Sequence, residues 1–327
     1  MKLHTNKELF SQAIRATAQQ MALKESYVEK DYWVTLALYS LFTNAISKNL
    51  VFKGGTSLSK CYAIIERFSE DIDLVLLDVE SLSGNQKKEL IKQVSKIIEP
   101  ILPEIEIEGL THKTGQIRKT AHQYPIEFNN QDKQTRNVIV LEVNWLGDPD
   151  PYKEVDISSF IYEMMKNTKQ ESLIETYEMQ PFIVNAMDIK RTFCEKIMSL
   201  VRFSFKENPI DELRNKIRHC YDLHQLMQSE EIQVFLNSDE FEKMMRKVAT
   251  NDLEAYKDSR GCLKNHPKES MFFSDLDEVW NKLKGTYSTD FKDLVYSDLP
   301  DEKEVYKTLL QIKDRINFID WIKTENP

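Results

Sequence analysis

Phe52-Lys53-Gly54-Gly55-Thr56-Ser57-Leu58, followed by Asp71-Ile72-Asp73-Leu74-Val75-Leu76-Leu77, is the stretch from which the fold can be read. Leu50-Val51-Phe52 is a short apolar run of strand type, stopped by two glycines. Thr56 and Ser57 then open an amphipathic run through Leu58, Cys61, Ile64 and Ile65. After Arg67-Phe68-Ser69, acid and aliphatic residues alternate from Asp71, which is strand composition. The local order is strand, turn, helix, strand.

Upstream, apolar residues recur at helical spacing from Lys7 to about Ala45, as in Phe10, Ala13, Ile14 and Met21, then Tyr32, Leu36 and Tyr39. Downstream, Leu90, Ile91, Val94, Ile97 and Ile98 line one side of a helix expected from about Gly84 to Ile98, closed by Pro100 and Pro103. Strands are expected at Ile105 to Glu108, His122 to Phe128 and Asn137 to Val143. Asp148-Pro149-Asp150-Pro151 interrupts that pattern and a mixed linker follows. From about Asn185 the chain reads as helices, among them Asp188 to Phe205, Asp211 to Gln228 and about Lys303 to Lys323. Strands mixed with helices, then helices alone, imply an α+β domain over 1–180 joined to a helical C-terminal domain over 181–327.

The composition suits two such domains. Of 327 residues, 41% are hydrophobic and 30% charged, with 8 glycines and 10 prolines, which excludes fibrous and disordered classes. Met1 to Phe10 lacks the apolar core of a secretory signal, and no apolar run approaches a membrane span, so a cytoplasmic protein without membrane contact is expected. Cys61, Cys194, Cys220 and Cys262 lie far apart with no histidine at zinc-site spacing; buried reduced thiols are expected. A net charge of -9 argues against a protein that coats nucleic acid through its overall field, yet leaves room for a local basic groove. Lys53, Lys60, Arg67, Arg191, Arg202, Lys206, Arg214 and Arg218 are candidates for such a lining.

The chemistry lies between Gly54 and Asp73. On a strand, Asp71 and Asp73 project from one face, roughly 6.5 to 7 Å apart. Two carboxylates so placed suit magnesium or manganese, hard ions that take carboxylate, water and phosphate oxygens and stabilise the attacking and leaving oxygens of phosphoryl or nucleotidyl transfer. Asp-x-Asp alone is a weak signal, since it also fits a solvated strand edge. Its context is stronger: Gly54 and Gly55 let backbone approach a ligand, and Thr56-Ser57 stands at a helix start, where unpaired N–H groups favour phosphate. A nucleoside triphosphate with its phosphates on Gly54 to Ser57 and its metal on Asp71 and Asp73 fits that combination.

The same segments, Phe52 to Leu58 and Arg67-Phe68-Ser69-Glu70-Asp71-Ile72-Asp73-Leu74, resemble the signature of the AbiEii/AbiGii nucleotidyltransferase toxins, relatives of the MenT toxins in the polymerase-beta-like superfamily. Glu29-Lys30-Asp31-Tyr32-Trp33 resembles that family's N-terminal helix sequence. The similarity is strongest over residues 27–77 and weaker over 188–228. It implies a small mixed sheet carrying the catalytic carboxylates, a helical C-terminal domain, and metal-dependent transfer of a nucleotide to an acceptor. RNA, especially a tRNA 3′ end, is the acceptor class it implies, and an antitoxin encoded alongside is the implied protein partner.

The resemblance also implies a third carboxylate on a neighbouring strand. Glu142, in Val140-Leu141-Glu142-Val143, leads on strand quality, with Asp156 in Glu154-Val155-Asp156-Ile157 as the alternative. Cys194-Glu195-Lys196-Ile197 resembles the family's third motif, which makes Lys196 the lysine for the triphosphate. Arg218-His219-Cys220-Tyr221-Asp222 resembles the fourth, with Asp222 in the acidic position to orient Lys196 or the acceptor; His219 and Cys220 stand where the family often has a charge. Two rival readings remain at this point: a metal-dependent phosphohydrolase or nuclease, and a non-catalytic nucleotide-binding regulatory module.

Overall fold

A computed structural model describes residues 1–69, 71–77, 79–113, 115–128, 136–255 and 264–321. Glu70 and Cys262, named above, lie outside the described residues. In chain order the elements are α1 (Lys7–Met21), α2 (Glu25–Phe42), β1 (Leu50–Lys53), α3 (Gly54–Lys60), β2 (Asp71–Leu76), α4 (Gly84–Ile98), β3 (Glu104–Ile105), β4 (His112–Lys113), β5 (Ile117–His122), β6 (Ile139–Asn144) and β7 (Tyr152–Ile157). There follow α5 (Phe160–Asn167), α6 (Glu171–Thr176), β8 (Phe182–Met187), α7 (Ile189–Phe203), α8 (Pro209–Arg214), α9 (Ile217–Leu226), α10 (Glu230–Leu236), α11 (Asp239–Ala255), α12 (Met271–Ser274), α13 (Leu276–Ser288) and α14 (Glu302–Asn317). The fold is α+β, and no helix among the described residues is long and apolar enough to cross a membrane.

Two compact units emerge, one comprising Met1–Ala63, Phe68–Trp145 and Tyr152–Met187, the other Ile64–Arg67, Leu146–Pro151 and the chain from Asp188 onward. The first holds one mixed sheet in the order β3-β5-β6-β2-β1-β8-β7, with β4 on β5. β1 runs antiparallel to β2 and parallel to β8, while β2 runs parallel to β6. Strand alternation gives the sheet two unlike faces. Leu50, Phe52, Ile72, Leu74, Leu76, Leu141 and Val143 pack with α2 and α4 in the main core. The opposite face carries two small apolar clusters, Val51-Val75-Leu77-Met187 and Ala121-Val138-Val140, together with the acids of β2 and β6.

α2 explains why its sequence shows little polar face: Tyr27 to Leu38 is buried throughout, so the helix is enclosed and its charges must find partners inside. α4 begins where Ser83 and Gln86 form a reciprocal capping box. The run His122 to Phe128, expected as a strand, is displaced: the strand is β5, which ends at His122. Arg118 and Lys119 hide its apolar alternation because each is ion-paired, Arg118 to Glu104 and Lys119 to Glu142. The expected linker, likewise, contains β7, α5, α6 and β8, all within the first unit. β7 sits at the end of the strand order with most side chains exposed, so its sequence carries no core-facing pattern.

The second unit is helical apart from an isolated bridge between Arg67 and Val295. Phe193, Leu200, Tyr221, Leu309 and Ile312 are among its buried side chains. The segment 211–228 forms two helices, α8 and α9, rather than one. Cys194 and Cys220 are buried thiols, as expected, and Cys61 is a half-buried one whose pKa is pushed up to about 12 by burial.

Candidate active site

β2 sets Asp71 and Asp73 on one face, and its neighbours complete a row of charges across the sheet. Lys53 of β1 lies opposite Asp73, Asp73 lies opposite Glu142 of β6, and Glu142 lies opposite Lys119 of β5. Residues opposite one another share a face, so the order across the four strands is lysine, aspartate, glutamate, lysine. Lys119 Nζ is 3.3 Å from Glu142 Oε2. Asp156 lies on β7, separated from β2 by β1 and β8 in the sheet order, so of the two candidates for a third carboxylate only Glu142 flanks Asp73.

Gly54 closes over this row. Its φ is +81°, in the left-handed region, and a Cβ added there would overlap Asp73 Oδ2. Only a residue without a side chain lets the turn backbone pass so close to the carboxylate. α3 is fastened on both sides: Thr56 Oγ1 donates to the Asp71 carbonyl oxygen at 2.6 Å, and Lys60 Nζ lies 2.6 Å from Asp31 Oδ1. The Thr56 hydroxyl therefore has a structural partner in β2. Ser57 is buried, at 2% exposure. Of the four residues expected at phosphate, the two hydroxyl residues are thus both buried, and the glycine backbone is what the turn brings to the acids.

The electrostatics of the row are those of crowded like charge. Asp73's pKa is pushed up to about 7, by burial first, then by Glu142 and Asp71, with Lys53 and Lys119 acting in the opposite direction. Asp71 Oδ1 is buried without a hydrogen-bond partner. Among the described residues, no three acid, histidine or cysteine side chains already close into a metal cage. Magnesium does not require one: it is commonly held by one or two carboxylates, with water and substrate phosphates completing six oxygens. The hard-oxygen donors, the orphaned Asp71 oxygen and the close glycine backbone fit a divalent cation.

The other predicted residues belong to the second unit and form a tight group of their own. Asp222 is fully buried and accepts from Arg67 Nε at 2.6 Å and Nη2 at 2.7 Å, while Lys196 Nζ lies 2.5 Å from its Oδ2. Burial raises the Asp222 pKa, but the charges of Arg67 and then Lys196 outweigh it and hold the carboxyl well below its usual range. Lys196, 5% exposed, is lowered by burial first, with Asp222 opposing. Several other members of the expected basic lining are ion-paired within their own units: Lys60 with Asp31, Arg191 with Glu195, Arg202 with Asp252 and Arg214 with Asp211.

Sequence reading missed Lys119 and Arg136. Lys119 could be found only through the β5–β6 register, and Arg136, whose Nη1 is 3.6 Å from Asp71 Oδ1, precedes β6 with no motif around it. It also left Glu29-Lys30-Asp31 without a task. Glu29 accepts from the backbone N–H of Glu127 and Phe128 at 2.8 and 3.1 Å, Lys30 donates to the Arg136 carbonyl oxygen, and Asp31 accepts from Phe160 N–H at 2.9 Å.

Comparison with known proteins places this chain in a family. Among solved structures, the chain is similar to MenT4, a nucleotidyltransferase toxin from Mycobacterium tuberculosis, at 16% identity and a TM-score of 0.47, covering 91% of this chain and 98% of that one. It is also similar to JHP933 from Helicobacter pylori, at 16% identity and a TM-score of 0.42, covering 90% and 92%. No curated protein matches it. The model of the family described as "Nucleotidyl transferase AbiEii toxin, Type IV TA system" matches residues 36–310, well over half of the sequence. The chain thus belongs to the AbiEii family of toxin nucleotidyltransferases.

Proposed function

We propose that the protein moves a nucleotide from a nucleoside triphosphate to an acceptor hydroxyl on RNA, with tRNA 3′ ends as the acceptor class, and that it does so with magnesium or manganese on Asp71, Asp73 and Glu142. The observation that carries this reading is the row itself: three carboxylates on adjacent strands, their charges in mutual repulsion, beneath a glycine turn that could not accept a side chain. Such an arrangement disfavours the metal-free charged state, and a divalent cation relieves it.

Each group then has a distinct part. Asp71 and Asp73 offer oxygens from one strand face, and Glu142 adds a third from the next strand, held by Lys119. Gly54 and Gly55 let the triphosphate approach the acids through backbone rather than side chains. When bound, the cation supplies Lewis-acid stabilisation of the phosphate oxygens as the acceptor hydroxyl displaces pyrophosphate. The motif resemblance assigns Lys196 to phosphate charge, and within its own unit its ammonium is paired with Asp222. An antitoxin protein is the partner that the toxin family implies, and the cytoplasm is the compartment in which its nucleotide and RNA would be met.

The test is incubation with each α-labelled triphosphate, magnesium and total cellular RNA. Transfer yields labelled, lengthened RNA and pyrophosphate, whereas shortened RNA or free phosphate would indicate hydrolysis. Asp73→Asn is expected to abolish labelling while leaving the fold intact, and full labelling by that variant would refute the assignment. Growth arrest on expression, relieved by a neighbouring gene product, is the separate test of the toxin reading.

A further inference from the structure

The Glu29-Lys30 pair of α2 meets the chain at residues 127, 128 and 136, contacts for which the carboxylate row gives a reason. Lys30 is 2% exposed, an expensive place for an ammonium, and it both donates to the Arg136 carbonyl oxygen and lies 5.7 Å from the centroid of the Phe68 ring. Phe68 is stacked on Tyr27 at 4.2 Å, one helical turn before Lys30. Glu29 meanwhile receives the amides of Glu127 and Phe128. Two successive charged residues inside one buried helix thus fix the chain at 127–128 and again at 136. The consequence for Arg136 is a backbone set by the core and a side chain that remains 47% exposed, with Nη1 3.6 Å from Asp71 Oδ1. That separation is too long for a hydrogen bond, and Asp71 Oδ1 has none.

We infer that Arg136 is a nucleotide-binding residue, meeting the phosphate oxygens of the metal-bound triphosphate beside Asp71, and that Lys30 is the positioning residue that sets it there. This rests on the nucleotidyltransferase reading above. A divalent cation on Asp71 would repel the guanidinium that now faces the same oxygen. The triphosphate that the cation brings is an anion on the same side of Asp71, and a guanidinium matches phosphate oxygens with two parallel N–H donors. Arg136 thereby changes partner from carboxylate to phosphate over a short distance, without any change in its backbone anchor.

The experiment uses the full chain and two separate titrations: Mn2+ alone, followed by electron paramagnetic resonance, and a triphosphate analogue with a non-cleavable α–β bridge in the presence of Mn2+. Arg136→Gln is expected to weaken the analogue by about tenfold or more, with Mn2+ uptake retained or tightened, because a competing cation is gone. Arg136→Lys should recover part of the loss, since charge returns without the fork. Lys30→Met should weaken the analogue in the same direction while keeping Mn2+ uptake; general damage to the fold would remove both. Analogue affinity unchanged in Arg136→Gln, with the wild type binding normally, overturns the inference alone, and unchanged affinity in Lys30→Met removes Lys30 from it. A wild type that takes up neither Mn2+ nor analogue overturns the nucleotidyltransferase reading and this inference with it.

Discussion

Two groups of buried charge, one in each unit, are built on opposite principles. Around Asp222 one acid sits between two cations, Arg67 and Lys196, with short hydrogen bonds to both, and its carboxyl is held far toward the ionised form. On the sheet face Asp73 has Asp71 and Glu142 as neighbours, and its carboxyl is pushed toward the protonated form. The first arrangement is complete as it stands. The second gathers three acids, Asp71, Asp73 and Glu142, and Lys53 and Lys119 beside them, with Arg136 3.6 Å from Asp71 Oδ1, leave the Asp73 carboxyl above its usual range. Burial and proximity to other charges are common to both groups; what differs is whether opposite or like charge lies next to the buried carboxyl.

Substitutions that remove one carboxylate from each group should therefore act in opposite directions on stability. The largest effect is expected for Asp222→Asn, which strands two buried cations and should cost about 3–5 kcal/mol in denaturant unfolding. A loss near zero would mean that the Arg67–Asp222–Lys196 group does not hold its unit together. Gly54→Ala comes next: the left-handed backbone and the overlap with Asp73 Oδ2 should cost about 1–3 kcal/mol and reduce transfer sharply, read by melting and by labelling of RNA. Normal transfer by that variant would show that the turn does not need to approach the acid.

Asp73→Asn has the reverse sign. A carboxyl whose folded pKa lies above its unfolded one stabilises the fold fully below the unfolded value of 3.8, and that contribution is lost as pH rises through about 7. Without divalent cations, the Asn variant should consequently melt above the wild type at pH values beyond that range, and the advantage should vanish in acid. A variant that melts lower throughout would show that the row is not strained. The smallest effect is expected for Lys119→Met. Stability should change by less than about 1 kcal/mol, because the Glu142 pair is partly exposed. Asp73's titration, followed by carboxyl carbon NMR, should move upward because a charge that favours its ionised form has gone.

How far the sequence reveals this depends on the range of the interactions involved. Gly54-Gly55-Thr56-Ser57 and Asp71-Ile72-Asp73 are local patterns, and β1, α3 and β2 appear where the turn and alternation place them. Glu142 is legible as a strand acid, but its choice over Asp156 depends on strand order, which no local pattern states. β5 is obscured by Arg118 and Lys119, cations tolerated on a strand because acids on neighbouring strands receive them. The Thr56 hydroxyl looks like a phosphate ligand in sequence, yet it donates to the Asp71 carbonyl oxygen. Lys30 is invisible as a positioning residue until Arg136, far along the chain, is seen above it.

In the proposed function the acids of β2 and β6 hold a divalent cation. Manganese titration by electron paramagnetic resonance, at a pH above the Asp73 midpoint, tests it directly. The wild type is expected to remove the free-ion signal with saturation, and Asp73→Asn to leave that signal in solution. Equal uptake by the two proteins would contradict the account.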